Sequence, residues 1–313
     1  MEYTAVIRTL GKGGDYYQKT LDSLILQSIP PSAIIVYIAE GYALPAETVN
    51  REQYVYVKKG MVAQRALQYK EVKTEYILFL DDDVYLPPTG VETLYHELQQ
   101  YKGDVISPYV FYNHKKSIKE KLRLAVFGRE FCRLFGNRWG FKVLSTAGFS
   151  YINNPKKAVY ESQTNAGPCF LCRKEDFLNI KYEDELWLDE APYAFPEDQV
   201  MYYKMYLNGL KILTSYDSGI VHLDAGSSTG GSVDRTCKVI YSEYRNKIIF
   251  WHRFIYSNEK NYLLRLWKIA CIIYVYVLQS INSTYKLLKG RKEEARVFFL
   301  GIKDALIFIR NRK

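Results

Sequence analysis

The apolar and polar positions of the first hundred residues fall into two alternating patterns. Residues 4–9, 33–39, 54–57 and 76–80 are short apolar runs, and 33–39 (Ala-Ile-Ile-Val-Tyr-Ile-Ala) is unbroken, as expected of a strand buried on both faces. Between them, residues 16–28 place Leu21, Leu24 and Ile25 at helical spacing before Pro30-Pro31 ends the pattern, and residues 61–69 predict a second helix. This alternation predicts a Rossmann-like α/β sheet, largely parallel, with helices on both faces. In sheets of that kind ligands bind beyond the C-terminal strand ends.

After a fifth strand at 104–110 the alternation lapses. Residues 113–160 are read as an insertion. Within it, 115–133 interleave Leu122, Leu124, Val126, Phe127 and Phe131 with Lys116, Lys119, Lys121, Arg123, Arg129 and Arg133, a basic amphipathic pattern. A strand at 167–173, a helix at 196–208 and short strands at 211–213 and 220–223 follow. The Gly/Ser-rich stretch 226–232 reads as a mobile loop, and from 242 onward the pattern is helical and basic. The expected organisation is a catalytic domain over 1–225, carrying the insertion, and a helical C-terminal region over 226–313. The longest apolar run, 269–278, is well short of the ~20 residues of a spanning helix, and the first apolar run is too short for a signal sequence. Both point to a cytoplasmic protein. The basic, aromatic character of 115–133 and 263–312 adds the expectation of peripheral attachment to the inner face of the cytoplasmic membrane.

Composition narrows the classes. Hydrophobic residues make up 48% and charged residues 25% of 313, which excludes wholesale disorder. The net charge of +9 suits an anionic partner without choosing among nucleic acid, lipid and phosphorylated substrate. Zinc-finger spacing and RNA-recognition signatures are missing, so no nucleic-acid partner is expected. Cys169 and Cys172 have CxxC spacing, but large apolar residues lie between them and no second pair follows. They read as part of a buried strand.

Two constellations carry chemistry. Asp81-Asp82-Asp83 directly follows an apolar strand, and three adjacent carboxylates repel one another unless a hard cation such as Mn²⁺ or Mg²⁺ sits among them. A solvated acidic turn is the plain alternative. Glu197-Asp198 opens the helix at 196–208. Acids are favoured there by the helix dipole, and one of them also suits a general base. Gly11-Lys12-Gly13-Gly14 lacks the third glycine of a dinucleotide fingerprint.

The ordered series resembles a family 2 glycosyltransferase of the GT-A fold, an inverting family of the kind that builds bacterial polysaccharides. It comprises a first strand ending at Thr9, a second ending in Glu40, Arg65 in Gln64-Arg65-Ala66, the strand-Asp-x-Asp of Asp81 and Asp83, a Gly-initiated strand with Arg173, Glu197-Asp198, and a strand ending in His222. The resemblance implies that Arg8, Thr9, Glu40, Arg65, Asp81 and Asp82 bind a UDP-, GDP- or dTDP-linked donor. It also implies that Asp83, with Asp81 and His222, binds Mn²⁺ or Mg²⁺, that Asp198 is the catalytic base, and that Glu197 contacts acceptor or donor sugar. Tyr244-Arg245-Asn246 resembles a segment of polysaccharide-building members, which adds Arg245 as a phosphate-neutralising donor contact. The family's Asn after Arg65 is absent, as is the Gln-x-x-Arg-Trp signature of processive synthases, so single-sugar addition to a saccharide or lipid-linked saccharide acceptor is implied. A metal-dependent nucleotidyltransferase acting on sugar phosphates is the nearest alternative in chemistry.

Overall fold

The computed structural model describes residues 1–110, 116–134, 136, 138–224 and 232–311. The alternation in the N-terminal part becomes β1 (Tyr3–Thr9), α1 (Asp15–Ile25), β2 (Ala33–Ala39), β3 (Glu52–Val57), β4 (Tyr76–Asp81), β5 (Val84–Tyr85), α2 (Gly90–Gln100) and β6 (Val105–Pro108). The insertion holds α3 (Ile118–Val126), β7 (Glu130–Arg133), β8 (Phe141–Val143) and β9 (Phe149–Ile152). Then come β10 (Val159–Ser162), β11 (Cys169–Arg173), α4 (Lys174–Asn179), a 3-10 segment (Tyr182–Glu190), α5 (Glu197–Leu207), β12 (Ile212–Ser215) and β13 (Val221–His222). The chain closes with α6 (Val233–Phe250), α7 (Tyr262–Leu288) and α8 (Lys292–Asn311).

Eight strands form one mixed sheet in the order β10-β12-β6-β11-β4-β1-β2-β3. Strands β3, β2, β1 and β4 run parallel, and β11 enters antiparallel between β4 and β6. Side chains alternate across a strand, so each strand feeds two cores. Tyr3, Ala5 and Ile7 of β1 and Leu78 and Leu80 of β4 pack with Leu21 and Leu24 of α1 and Leu94 of α2. Val6, Ile77 and Phe79 point the other way, into a core with Val200 and Met201 of α5 and Ile249 and Phe250 of α6. The same two-residue period carries Arg8 and Asp81, register partners at the ends of β1 and β4, onto the α5 side. Cys169 and Cys172 are fully buried in β11, where burial raises both thiol pKa values.

The structure departs from the sequence pattern at three places. Residues 61–69 form a run of turns instead of a helix. Asp189 pins its start by accepting from the amides of Val62 (3.1 Å) and Ala63 (2.8 Å). The insertion is ordered around its own three-stranded sheet, β7-β9-β8, and is tied to the C-terminal helices through Trp251 Nε1 to Ser145 O (3.0 Å) and Tyr274 Oη to Val126 O (3.1 Å). The apolar run 269–278 is the middle of the 27-residue α7. That helix is long and apolar enough to cross a membrane, with mean hydropathy 1.4 over its most apolar window and 11% of that window buried. The loop expected at 226–232 lies outside the described residues except for Ser232, whose hydroxyl caps α6 by accepting from Arg235 N (3.3 Å).

Candidate active site

The site is assembled where β1, β4, β11 and α5 meet. Arg8 reaches across from β1 and grips Asp81 with Nε (2.6 Å to Oδ1) and Nη2 (3.3 Å to Oδ2). Its Nη1 donates to Met61 O (2.9 Å) and lies 2.9 Å from Glu197 Oε1. Arg65, in the run of turns, is 2% exposed. Its Nη1 donates to Glu197 Oε2 (2.9 Å) and Asp198 Oδ1 (3.1 Å), and its Nη2 donates to Gly167 O (2.9 Å) while lying 3.6 Å from Asp81. Tyr182 Oη is a second donor to Glu197 Oε2 (3.1 Å). Two guanidiniums therefore join the aspartate triplet at the sheet edge to the acidic pair that opens α5.

Two cations face three carboxylates, and the surplus negative charge has a definite place. Burial works against an ionised Asp81, but Arg8 and Arg65 outweigh it and hold its pKa below the ordinary value. Glu197 is likewise buried, and again the two arginines leave its pKa lowered. Asp198 is left with the weakest compensation. Burial, and then the charge of Glu197, push its pKa up to about 7. The side chain of Asp198 is 38% exposed, against 3% for Glu197, so it is the member of the pair open to a substrate. Gly167 makes the arrangement possible. A Cβ there would stand 1.9 Å from Asp198 Oδ1, so no other residue lets β11 start this close to α5.

The other two aspartates serve different loops. The Thr9 hydroxyl donates to Asp82 Oδ2 and accepts from Gly11 N (2.8 Å), which folds the loop after β1 onto the triplet. Burial, with the adjacent Asp81 and Asp83, raises the Asp82 pKa to about 6. Asp83 faces His222. The short ribbon of β5 and β13 pairs His222 with Val84, Leu223 N donates to Asp83 O (2.8 Å), and His222 Nε2 ends 2.9 Å from Asp83 Oδ2. Burial lowers the imidazole pKa, but the hydrogen bond and charge of Asp83 prevail and raise it.

Among the described residues no three His, Cys, Asp or Glu side chains converge on a metal-sized space. The donor set is the pair Asp83–His222, one oxygen and one nitrogen, both partly accessible. It fits a divalent ion held by few protein ligands and completed by phosphate and water. Asp81, expected as a further ligand, has both oxygens turned back to Arg8 and anchors the arginines instead. Glu197, expected to touch a sugar, is closed off by Arg8, Arg65 and Tyr182. Arg65, expected at the donor, has its guanidinium engaged by Glu197, Asp198 and Gly167 and sits behind Asp198. Arg245 is 5% exposed in α6 and donates to Trp187 O (3.2 Å), Asn246 Oδ1 (2.8 Å) and Glu190 Oε2 (2.6 Å). Its donors fasten α6 to the 182–190 segment and are not directed at the triplet. Glu40 lies exposed past the end of β2, held by its own amide to Val57 O (2.8 Å). Tyr182, Gly167 and Asp189 escaped the sequence reading as site-forming residues, and of these only Gly167, at the head of a predicted strand, left a signal.

Residues 50–179, which carry Arg65, the triplet and Gly167, match the profile of glycosyl transferase family 2. The match is a similarity over that segment of the chain. The crystal structure of GalNAc-T7 with UDP, GalNAc and Mn²⁺ shares the fold at TM-score 0.53 and 13% identity, covering 86% of this chain and 54% of that one. The chain thus spans about half the length of the GalNAc-T7 chain. S. aureus TarS 1–349 in complex with UDP-GlcNAc aligns over 97% of this chain and 91% of its own, at 13% identity and TM-score 0.46. No curated protein sequence matches the chain.

Proposed function

We propose that this chain is a glycosyltransferase that moves a sugar from a nucleoside-diphosphate donor (UDP-, GDP- or dTDP-linked) to a hydroxyl of a saccharide or lipid-linked saccharide acceptor, with inversion at the anomeric carbon and Asp198 as general base. The observation that carries this reading is the unequal state of the acidic pair: Glu197 is enclosed and neutralised by two arginines, whereas Asp198 is open with its pKa raised to about 7. A base poised near neutrality takes a hydroxyl proton most effectively there. The acceptor oxygen bonds to the anomeric carbon as that carbon's bond to the diphosphate breaks, and the hydroxyl proton passes to an Asp198 oxygen.

Asp83 and His222 would hold Mn²⁺ or Mg²⁺. When bound, the ion supplies positive charge against the departing diphosphate. The UDP and Mn²⁺ of the GalNAc-T7 structure support the choice of a nucleotide donor and a divalent ion. Thr9 and Asp82 shape the loop that would lie on the nucleotide, and Glu40 extends from the neighbouring strand end toward the same edge. Arg8 and Arg65 fix the relative position of the two halves without needing to touch the sugar.

The test is to incubate the purified chain with Mn²⁺, an acceptor and each nucleotide sugar in turn, and to identify the released nucleotide and the anomeric configuration of the product by NMR. Nucleoside diphosphate with inverted configuration is expected. Pyrophosphate release would replace this reading with nucleotidyl transfer, and a retained configuration would remove Asp198 from the role of base.

A further inference from the structure

The C-terminal helices and the insertion leave a large apolar surface uncovered. The charge around that surface identifies what covers it. Helix α3 buries none of its residues, and Ile118, Leu122 and Val126 form an outward stripe at four-residue spacing, 87%, 65% and 43% exposed. Helix α7 is half a core helix. Ile272, Val275, Gln279 and Ser283 face inward, while Trp267, Ile273, Val277 and Ile281 face out, 52–61% exposed. Beside them an open groove of about 810 Å³ runs between α7 and α8, lined by Ile273, Val277, Ile281, Leu288 and Phe299. The hydrogen bond from Tyr274 Oη to Val126 O (3.1 Å) joins the end of α3 to the middle of α7, so the two apolar stripes belong to one continuous face.

Bases outnumber acids at the margins; the acids there are Glu120 of α3 and Glu293 of α8. Helix α7 contains no acidic residue; of its bases, Lys268 and Lys286 are engaged by Glu259 and Glu294, which leaves Arg265. Arg296, Lys303 and Arg310 recur at seven-residue spacing along one side of α8, beside the exposed Phe299 and Leu306. Lys119 and Arg123 flank the stripe on α3. Of the acids of α8, Asp304 accepts from Tyr241 and Glu294 pairs with Arg291 and Lys286, while Glu293 pairs with Arg296; Lys303 and Arg310 are the remaining bases of that side. Apolar stripes bordered by bases are the complement of an anionic bilayer surface, with side chains among the acyl chains and ammonium and guanidinium groups at the phosphates.

We infer that α3, α7 and α8 together form one docking face for an anionic lipid bilayer, with α7 lying in the plane of the interface and not across it. The inner side of α7 decides the orientation. Val275 packs on Gly128, where an added Cβ would stand 2.6 Å from its methyl. Tyr276 Oη donates to Tyr244 O (3.3 Å), and Lys268 holds Glu259 (2.8 Å) and Ile255 O (2.9 Å). A spanning α7 would lose these contacts and expose Gln279 and Ser283 to lipid. The insertion that carries α3 also touches the start of α5: the loop between β8 and β9 accepts Gln199 Nε2 at Ala147 O (3.3 Å) and Gly148 O (3.2 Å), one residue from Asp198.

The test uses the whole chain and needs no donor, acceptor or metal, so it stands or falls apart from the proposed reaction. Co-sedimentation is measured with phosphatidylcholine vesicles and with vesicles containing 30 mol% phosphatidylglycerol (about a third anionic), at low and high salt. Binding to the anionic vesicles alone, at least tenfold weaker in high salt, is expected. The double variants Ile118→Ser/Leu122→Ser and Ile273→Ser/Ile281→Ser should each lower partitioning at least tenfold while melting as wild type does, because all four side chains are exposed. Release by alkaline carbonate is expected of an in-plane helix, and resistance to it would overturn the orientation. Failure of either double variant to weaken binding would remove its helix from the face. No vesicle binding, with concentration-dependent dimerisation in sedimentation equilibrium, would overturn the inference and assign the face to a second copy of the chain.

Discussion

Glu197 and Asp198 are adjacent carboxylates with opposite electrostatic fates, and their variants should differ in sign. The Asp198 pKa rises from its ordinary 3.8 to about 7, so the folded chain holds a proton that the unfolded chain has released, and stability falls as pH rises between about 4 and 7. The full shift overstates the penalty because the side chain is more than a third exposed and screened by solvent. Asp198→Asn should therefore stabilise the protein at pH 8 by about 1 kcal/mol, roughly 2 °C in Tm. Glu197 has a lowered pKa. Its contribution is present above its ordinary 4.5 and is lost as pH falls. Glu197→Gln leaves two buried guanidiniums short of charge and should destabilise by about 3–5 kcal/mol. Thermal melts of both variants at pH 8 check the pair of signs. The residue types at 197 and 198 were legible in the sequence; their division of labour was not, because it is set by Arg8 and Arg65, which arrive from segments more than a hundred residues away.

At the scale of elements, the apolar runs read well where burial was two-sided. Residues 33–39 form β2 to the residue, since only a central strand accommodates an unbroken run of that length. Residues 61–69 misled because a few apolar residues at helical spacing are outweighed by tertiary contacts: Asp189 captures the first amides, and Tyr69 adopts a positive φ of 48° with its hydroxyl on Arg65 O (2.5 Å). The strand ending in His222 was legible, but its two-residue partner β5 was not, and it is their pairing that brings His222 to Asp83. Asp83→Ala and His222→Ala should each remove most of the Mn²⁺-dependent part of nucleoside-diphosphate binding in titration calorimetry, and equal binding with and without Mn²⁺ in the wild type would refute the pair as a metal site. The start of β11 is a second such junction. Gly167→Ala forces a methyl into the Asp198 carboxylate, so turnover should fall at least about tenfold while donor affinity stays within about threefold, a split read directly from kcat and donor Kd.

Across the whole molecule, the mixed sheet divides two cores, and the reaction site sits at the edge where both stop. The sheet was legible as a parallel α/β pattern; the antiparallel insertion of β11 between β4 and β6 was not, since pairing order leaves no periodicity in the chain. Nor did sequence alone show that the insertion and the C-terminal helices, read as separate basic segments, join into one face. The reaction proposed for this frame has Asp198 as its base. Steady-state kinetics of Asp198→Asn and Glu197→Gln with the cognate donor, acceptor and Mn²⁺, together with the wild-type pH–rate profile, test it most directly. A positioned base contributes about 10²–10⁴-fold to rate. Asp198→Asn should thus lower turnover at least about a hundredfold with donor affinity nearly unchanged, and wild-type kcat should rise with pH through about 7 as the Asp198 carboxyl ionises. Near-normal turnover in Asp198→Asn, with a wild-type rate flat across that range, would contradict the account.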